Sequence, residues 1–472
     1  MELKHFVFMF AVLVVVPIGA SFAARRPWIK DALAFTLLLG TTRFDLQAIN
    51  FLSREWYRGT TRGIELCWLD LVWMMILLAE LRTRRPGAPG PRSPVLYAML
   101  AFVAYNAFNV LASDPHLFGV FELTKMIRAV MVFVTVAYYV KSDHHLRVIA
   151  WALGAAIAYE WLAAAYMRFV HGHSRSEGTL DHANSLSMYN LIGVPVLLAI
   201  ALSDTDPRLK RMATIGSLLG PISVLFTVSR NGLVTMGLLL FGVGVTCGSL
   251  KITAKKVGIA FGVIIVAAAV VAKTWSAFEA RFASEGAIEK EYQGKIYEGR
   301  GVYLTLAKMI VKDHALGCGL NNWSYCVSAH YGPLVELYYV PYPGPDERPP
   351  DKIRIPAHSH IDDAHAPPGH SLYAITLGET GWPGVLLFGV VWVAWLVMAG
   401  SFLWKRSPSL RSRFGTGVFF GLCGAFAQSF TEWEYRQTPL LFLLHVLLGA
   451  TAATYPVRPS LGLEGQPATR SK

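Results

Sequence analysis

The segment that decides the fold is 212–249, MATIGSLLGPISVLFTVSRNGLVTMGLLLFGVGVTCGS, in which Arg230 is the only charged residue. On either side of Arg230 the chain is apolar for about 18 residues, close to the roughly 20 that a helix needs to cross a bilayer. Two membrane-length helices joined at a single arginine predict a chain that crosses the membrane repeatedly.

Apolar stretches of similar length recur along the whole chain. We therefore predict an all-α, polytopic helical membrane protein with roughly twelve to thirteen transmembrane helices. The predicted spans are 5–23, 27–41, 64–81, 94–112, 119–140, 148–170, 184–202, 212–229, 231–249, 257–274, 382–403, 414–430 and 438–455.

The composition agrees with this class. Of the 472 residues, 54% are hydrophobic and only 16% are charged, whereas soluble domains carry about 25% charged residues. The formal net charge of +12 would suit a nucleic-acid-binding protein, but the Lys and Arg residues are concentrated in alternate loops. Such loops are typically cytoplasmic, so we expect no nucleic-acid partner. The basic loops lie at 25–30, 82–92, 141–147, 208–211, 251–256 and 405–413.

One long break interrupts the hydrophobic pattern. We divide the chain into ten transmembrane helices over 1–274, a loop domain over 275–381, C-terminal transmembrane helices over 382–455 and a cytoplasmic tail over 456–472. Alternation places the loop domain on the outer side of the membrane. The sequence 301–312 predicts a short helix, and the Pro-rich stretch that follows predicts irregular structure.

The cysteines give no metal-binding pattern. Cys67, Cys247 and Cys423 lie in apolar spans, where cysteine behaves as a small core residue. Cys318 and Cys326 both lie in the outer loop. They are either a disulfide or two separate thiols.

An arginine at a membrane surface is the first candidate for chemistry. Arg230 lies in Ser229-Arg230-Asn231-Gly232, between two apolar spans. A guanidinium at this depth either pairs with an anionic ligand or extends toward the lipid headgroups.

A second arginine, Arg300, directly precedes the predicted helix 301–312, and the turn Gly317-Cys318-Gly319 follows that helix. A cation at a helix start opposes the helix dipole. Arg300 therefore either binds an anion or pairs with a carboxylate such as Glu298.

A histidine marks the return of the chain to the membrane. His370 precedes Leu377-Gly378-Glu379-Thr380-Gly381, and it is either a general base or a structural residue, since histidines exchange protons near neutral pH. Nearby imidazoles and carboxylates are either a metal site or part of a solvated loop. These are His358, His360, His365, Asp362 and Asp363.

Two further polar groups accompany apolar spans. Asn184, in Gly178-Thr179-Leu180-Asp181-His182-Ala183-Asn184, either caps the following helix or contacts a polar ligand. Glu122, Lys125 and Arg128 share one helix face, and their spacing permits mutual pairing, so we interpret them as structural or interfacial residues.

Four motifs, in this order, resemble those of the O-antigen ligase and Wzy-type polymerase superfamily of bacterial envelope glycosyltransferases. They are Gly178 to Asn184, Ser229 to Gly232, Arg300 with Gly317-x-Gly319, and His370 to Gly384. The resemblance runs from about the third predicted span to the twelfth. Ser371 replaces a usual Asn, Ala315 replaces a common Pro, and the insert 333–368 is long, which leaves His365 as a rival of His370.

The resemblance implies an enzyme of the bacterial inner membrane that transfers a glycan from undecaprenyl diphosphate to an acceptor hydroxyl at the periplasmic face, with inversion. It implies that Arg230 and Arg300 hold the diphosphate and that His370 is the base. Neither a metal nor a cofactor is expected. The partners would be the carrier-linked donor, a glycan or lipid acceptor and membrane lipids. Candidate substrate contacts are His182, Asn184, Ser229, Asn321 and Glu379.

Three kinds of function remain open. The transferase reading includes a ligase, a polymerase and a protein O-oligosaccharyltransferase, which would share these residues. A transporter or flippase would suit the number of helices, although its polar residues belong near mid-membrane. A non-catalytic component of a polysaccharide export machine would not require Arg230, Arg300 or His370.

Overall fold

The computed structural model describes residues 3–42, 49–54, 57–84, 93–180, 182–248, 275, 301–332, 334, 366, 368–405 and 407–455. Several predicted features lie outside these residues. They are the span 257–274, Arg300, the metal candidates in 358–365, which include the rival base His365, and the tail 456–472. Within the described ranges the chain is almost entirely helical, with one two-stranded sheet. The all-α polytopic class is therefore confirmed.

The helices before the long loop follow one another with short connections. In chain order they are α1 (Leu3–Arg25), α2 (Pro27–Leu39), α3 (Trp68–Thr83), α4 (Pro94–Ala112), α5 (His116–Tyr139), α6 (Asp143–Phe169), α7 (Ala183–Ala201), α8 (Pro207–Thr227) and α9 (Arg230–Cys247). Between α2 and α3 lies the antiparallel hairpin of β1 (Ile49–Ser53) and β2 (Gly63–Leu66).

The later elements are α10 (Gly301–Asp313), α11 (Trp323–Cys326), α12 (Leu372–Lys405), α13 (Leu410–Gln428) and α14 (Thr438–Thr454), with a 3₁₀ turn at Glu434–Arg436. The helix predicted over 301–312 is confirmed by α10. Helix α12 begins ten residues before the predicted span 382–403 and is interrupted at Gly381, whose φ of 64° is not helical.

Seven described helices are long and apolar enough to cross a membrane: α1, α4, α6, α7, α8, α9 and α12 up to Trp404. Five further helices, α2, α3, α5, α13 and α14, are shorter or more polar than these seven. They coincide with the predicted spans 27–41, 64–81, 119–140, 414–430 and 438–455. The chain is thus a multi-pass membrane protein, and the total of twelve to thirteen spans stays a prediction.

Helix α3 starts later than predicted. The residues Gly63–Leu66 form strand β2, so the helix begins only at Trp68. Asp70 explains this start, because its Oδ2 accepts the backbone N–H of Cys67 at 2.7 Å and thereby satisfies a donor at the helix N-terminus.

Helix α7 lies at the centre of the bundle. In its most apolar window, 94% of the residues are buried inside the protein, so lipid has little access to it. Two glycines of α13 allow the close approach, since a Cβ on Gly417 would lie 2.4 Å from the Val196 Cα and one on Gly421 would lie 2.5 Å from the Ile192 oxygen.

The charged face of α5 is buried and paired. Lys125 Nζ lies 2.8 Å from Glu122 Oε2, as the spacing permits. Arg128 instead pairs with Asp70 of α3 through two hydrogen bonds of 2.8 and 2.6 Å. A buried charge needs a partner of opposite sign, and Asp70 supplies it from another helix.

The two outer-loop cysteines are described as free thiols. Cys318 and Cys326 are both buried in one small apolar cluster that packs against the start of α12. Burial raises the pKa of the Cys318 thiol, so in this reduced form the thiol is protonated.

Candidate functional site

Several of the polar residues singled out in the sequence collect at one end of the helix bundle, which we call the His370 end. Helices α7, α9, α12 and α14 start at this end, and α13 finishes there. The segment 429–437, between α13 and α14, crosses it. Backbone oxygens of Ser429 and Glu432 accept the N–H of Leu372 at 3.0 and 3.1 Å, so this segment holds the start of α12.

His370 is bound to a carboxylate from that segment. Its Nδ1 lies 2.9 Å from Oε2 of Glu432, which is buried, whereas the His370 side chain is 38% exposed. A carboxylate only accepts hydrogen bonds, so Nδ1 is the donor in this contact, and in the neutral ring Nε2 is the nitrogen with the lone pair. Among the residues that the structure describes, Nε2 has no hydrogen-bond partner.

Asn184 extends this pair into a chain of four side chains. Its Nδ2 donates to Glu432 Oε1 at 2.7 Å, and its Oδ1 accepts from Arg175 Nη2 at 3.1 Å. Arg175 is fixed in turn by a bond from Nε to the Thr227 oxygen at 3.1 Å. The result is a continuous arrangement of Arg175, Asn184, Glu432 and His370 that places a guanidinium and an imidazole in one site.

One of the two predicted alternatives for Asn184, that it caps α7, is wrong. His182, and not Asn184, is the N-cap residue, and its Nδ1 lies 3.2 Å from the backbone nitrogen of Asn184. The side chain of Asn184 is therefore available for Glu432. Residues 182–184 thus contribute two polar groups to the site.

A second histidine–carboxylate pair lies beside the first. His182 Nδ1 is 3.3 Å from Oε1 of the buried Glu434, and the His182 side chain is 43% exposed. Burial, and then the negative charge of Glu432, raises the pKa of Glu434 to about 7. The hydrogen bond to Glu434 raises the pKa of His182. Nδ1 of His182 donates to Glu434 only when it carries a proton, and it then no longer accepts the N–H of Asn184.

The Ser229-Arg230-Asn231-Gly232 turn joins the same end. Ser229 is the N-cap of α9, and its Oγ accepts the N–H of Gly232 at 3.4 Å. Asn231 Nδ2 donates to Thr431 Oγ1 at 2.8 Å, and Thr431 directly precedes Glu432. The half-exposed Arg230 is therefore the direct neighbour of Asn231, which contacts the same segment, 429–437, that binds His370.

Arg300 lies outside the described residues, but the helix that begins at the next residue is described. Tyr303, in the first turn of α10, has its ring centroid 5.9 Å from that of His370. The start of α10 therefore lies against His370.

Glu379 and Asn321 form a separate cluster. Both are buried, and Glu379 Oε2 lies 2.5 Å from Nη1 of Arg436. Asn321 donates to the backbone oxygens of Thr61 and Phe118 at 2.8 Å each. We interpret these two residues as positioning groups, because their polar atoms contact the protein itself.

Sequence reasoning missed the residues of segment 429–437 that organise the site, Glu432, Glu434 and Arg436, together with Arg175. The signal was present as Glu432-Trp433-Glu434-Tyr435-Arg436, which places three charged residues between two apolar spans. Such residues near a membrane are often functional.

No cluster of three His, Cys, Asp or Glu side chains able to hold a metal ion occurs within the described ranges. A comparison with known protein families finds no match. A comparison with curated proteins also finds no relative.

Chemically, the arrangement provides a proton acceptor and a cation. An imidazole whose Nδ1–H is held by a carboxylate can accept a proton at Nε2 from a hydroxyl. The carboxylate stabilises the positive charge that the imidazole then carries. A guanidinium in the same site can bind phosphate oxygens.

Proposed function

We propose that the protein is a glycosyltransferase of the bacterial inner membrane that moves a glycan from undecaprenyl diphosphate to an acceptor hydroxyl at the periplasmic face. The observation that supports it is the hydrogen-bonded chain of Arg175, Asn184, Glu432 and His370. It lies at one end of a bundle of membrane helices, where a carrier lipid would present its headgroup.

In the proposed reaction, the acceptor oxygen attacks the anomeric carbon as the bond from that carbon to the diphosphate oxygen breaks. Nε2 of His370 takes the proton of the acceptor hydroxyl. Attack opposite the leaving group inverts the anomeric centre. A positioned base of this kind contributes about 10²–10⁴-fold to the rate.

The leaving diphosphate needs positive charge and no acid. Arg230 and Arg300 are the proposed ligands, because guanidinium groups match phosphate oxygens and stay charged. Arg175 adds a third arginine, which Asn184 connects to the base. Charge stabilisation of this kind in a water-poor site contributes several kcal/mol, so the proposed mechanism requires no metal.

The experiment that tests this function uses the purified protein in lipid nanodiscs with an undecaprenyl-diphosphate-linked glycan. Mass spectrometry of the lipid and glycan products distinguishes elongated carrier, which indicates a polymerase, from a glycosylated lipid core or protein, which indicates a ligase or a protein glycosyltransferase. Formation of no new glycosidic bond with any of these acceptors would refute the proposal.

A further inference from the structure

A cavity with a partly polar wall lies near the site and has no role in the proposed chemistry. Its volume is about 240 Å³, far more than the roughly 30 Å³ that one water molecule occupies in the liquid. Its walls come from the hairpin after α2, the starts of α3 and α14, and one face of α5. The residues used below are Glu65, Trp68, Lys125, Arg128, Gln437 and Thr438.

Three polar side chains of this wall are available to a ligand. Glu65, Gln437 and Thr438 are half-buried, and their side chains make no hydrogen bond within the part of the chain that the structure describes. They offer a carboxylate, an amide and a hydroxyl, so donors and acceptors are both present. Polar groups that line a cavity without partners favour a ligand that can satisfy them.

With the carboxylates that pair with its two cations, the cavity carries no excess positive charge, which restricts the ligand. Lys125 is paired with Glu122 and Arg128 with Asp70, and Glu65 adds a further carboxylate. A phosphate would need a net positive wall, which these pairs do not provide. A prenyl tail would need an apolar wall. A sugar fits better, since each of its hydroxyls both donates and accepts, and the ring of Trp68 supplies an apolar surface.

Two chain segments connect the cavity to the His370 site. Leu180 lines the cavity and lies two residues before His182. Gln437 lies five residues after Glu432, a stretch that spans at most about 17 Å of chain. A glycan of a few residues could therefore reach from one site to the other.

We propose that this cavity is a sugar-binding subsite that holds one neutral, hydroxyl-rich residue of the glycan substrate while the reacting end lies at His370. The inference rests on the proposed function for the identity of that glycan. Binding of the sugar itself requires no transfer reaction.

The test measures binding of glucose, galactose and N-acetylglucosamine to the full-length protein in nanodiscs by saturation-transfer NMR, with inorganic phosphate as the anionic probe. We expect at least one neutral sugar to bind, and we expect Gln437→Ala and Glu65→Gln each to weaken it about 3- to 10-fold, the effect of one lost hydrogen bond. The acid-to-amide control Asp204→Asn, an exposed residue in the turn that follows α7 at the opposite end of that helix, should leave binding unchanged.

The His370→Ala variant separates the two proposals. This variant should bind sugar like the wild type. If the wild-type protein binds sugar but transfers no glycan, the subsite proposal holds and the transferase proposal fails. Binding of phosphate alone, binding of none of the sugars, or equal binding by both cavity variants and the wild type would overturn the subsite.

Discussion

Nδ1 of His370 and Oε2 of Glu432 lie 2.9 Å apart, although 62 residues separate them along the chain. The bond fixes which ring nitrogen carries the proton, and it leaves Nε2 directed away from its carboxylate partner. Asn184 holds the other oxygen of the same carboxylate at 2.7 Å. The orientation of the imidazole is therefore set by two side chains, Glu432 and Asn184, from two other parts of the sequence.

Replacing Glu432 by Gln should reduce glycan transfer at least about tenfold without unfolding the protein. The Gln amide can donate to Nδ1, which moves the ring proton to Nε2 and removes the basic lone pair. Initial rates over a pH range measure the effect, and the loss should persist across that range. A rate equal to that of the wild type would show that Glu432 does not position the base.

Breaking the buried pair of Glu379 and Arg436 should destabilise the protein. Arg436→Met leaves the Glu379 carboxylate buried without its cation, which costs about 3–5 kcal/mol. The control is Arg411→Met, which breaks an exposed pair with Asp143 worth about 0–1 kcal/mol. Thermal unfolding in detergent compares the two variants, and equal losses would contradict the assignment of Glu379 as a positioning residue.

Stability should fall as the pH rises through neutrality, and Glu434 should cause part of this fall. Its folded pKa of about 7 lies above the ordinary value of 4.5, so the folded state holds a proton that the unfolded state has released. The pKa of His182 is also raised and acts in the same direction. The stability that both groups contribute is present at low pH and is lost as the pH rises through their pKa values in the folded state.

The variant Glu434→Gln isolates the carboxyl contribution. Thermal unfolding at about pH 5 and about pH 8 should show a smaller loss for this variant than for the wild type. The same loss in both proteins would show that Glu434 ionises normally in the folded state.

The Gly317-x-Gly319 turn should tolerate no side chain at its first position. Gly317 has a φ of 78°, and a Cβ there would lie 2.4 Å from the backbone carbon of Glu379. The matched control is Gly172, with a φ of 69° and no atom within 4 Å of its Cβ position. Gly172→Ala should cost about 1–2 kcal/mol from backbone strain.

Gly317→Ala should cost a further 1–3 kcal/mol or so from the clash. Unfolding temperatures of the two variants measure the difference. Equal temperatures would mean that the turn moves freely away from α12.

Glycan transfer should persist after treatment with EDTA, because the proposed mechanism assigns the charge of the diphosphate to arginines. Transfer rates before and after chelation, with and without added Mg²⁺ or Mn²⁺, provide the measurement. A requirement for divalent metal would favour the alternative built on His358, His360 and His365.

The sequence predicted the elements and part of the site. The all-α class follows from membrane-length apolar runs, and the His370, Asn184 and Ser229 motifs lie at the same end of the bundle. The hairpin 49–66 and the start of α3 at Trp68 were missed, because an apolar run does not reveal where a strand ends and a helix begins. Glu432 and Arg175 were missed because their function comes from contacts between distant segments.

The partners of Glu379 and Asn321 could not be predicted for the same reason. Their motifs made them candidates, yet a single sequence does not show that Arg436 pairs with Glu379 or that the hairpin binds Asn321. Burial depends on tertiary packing, which local patterns do not determine.

The most direct test of the account is the initial rate of glycan transfer by purified His370→Ala relative to the wild type, with equal amounts of folded protein in nanodiscs. The account predicts a loss of about 10²–10⁴-fold, the contribution of a general base. A His370→Ala rate close to that of the wild type would contradict it.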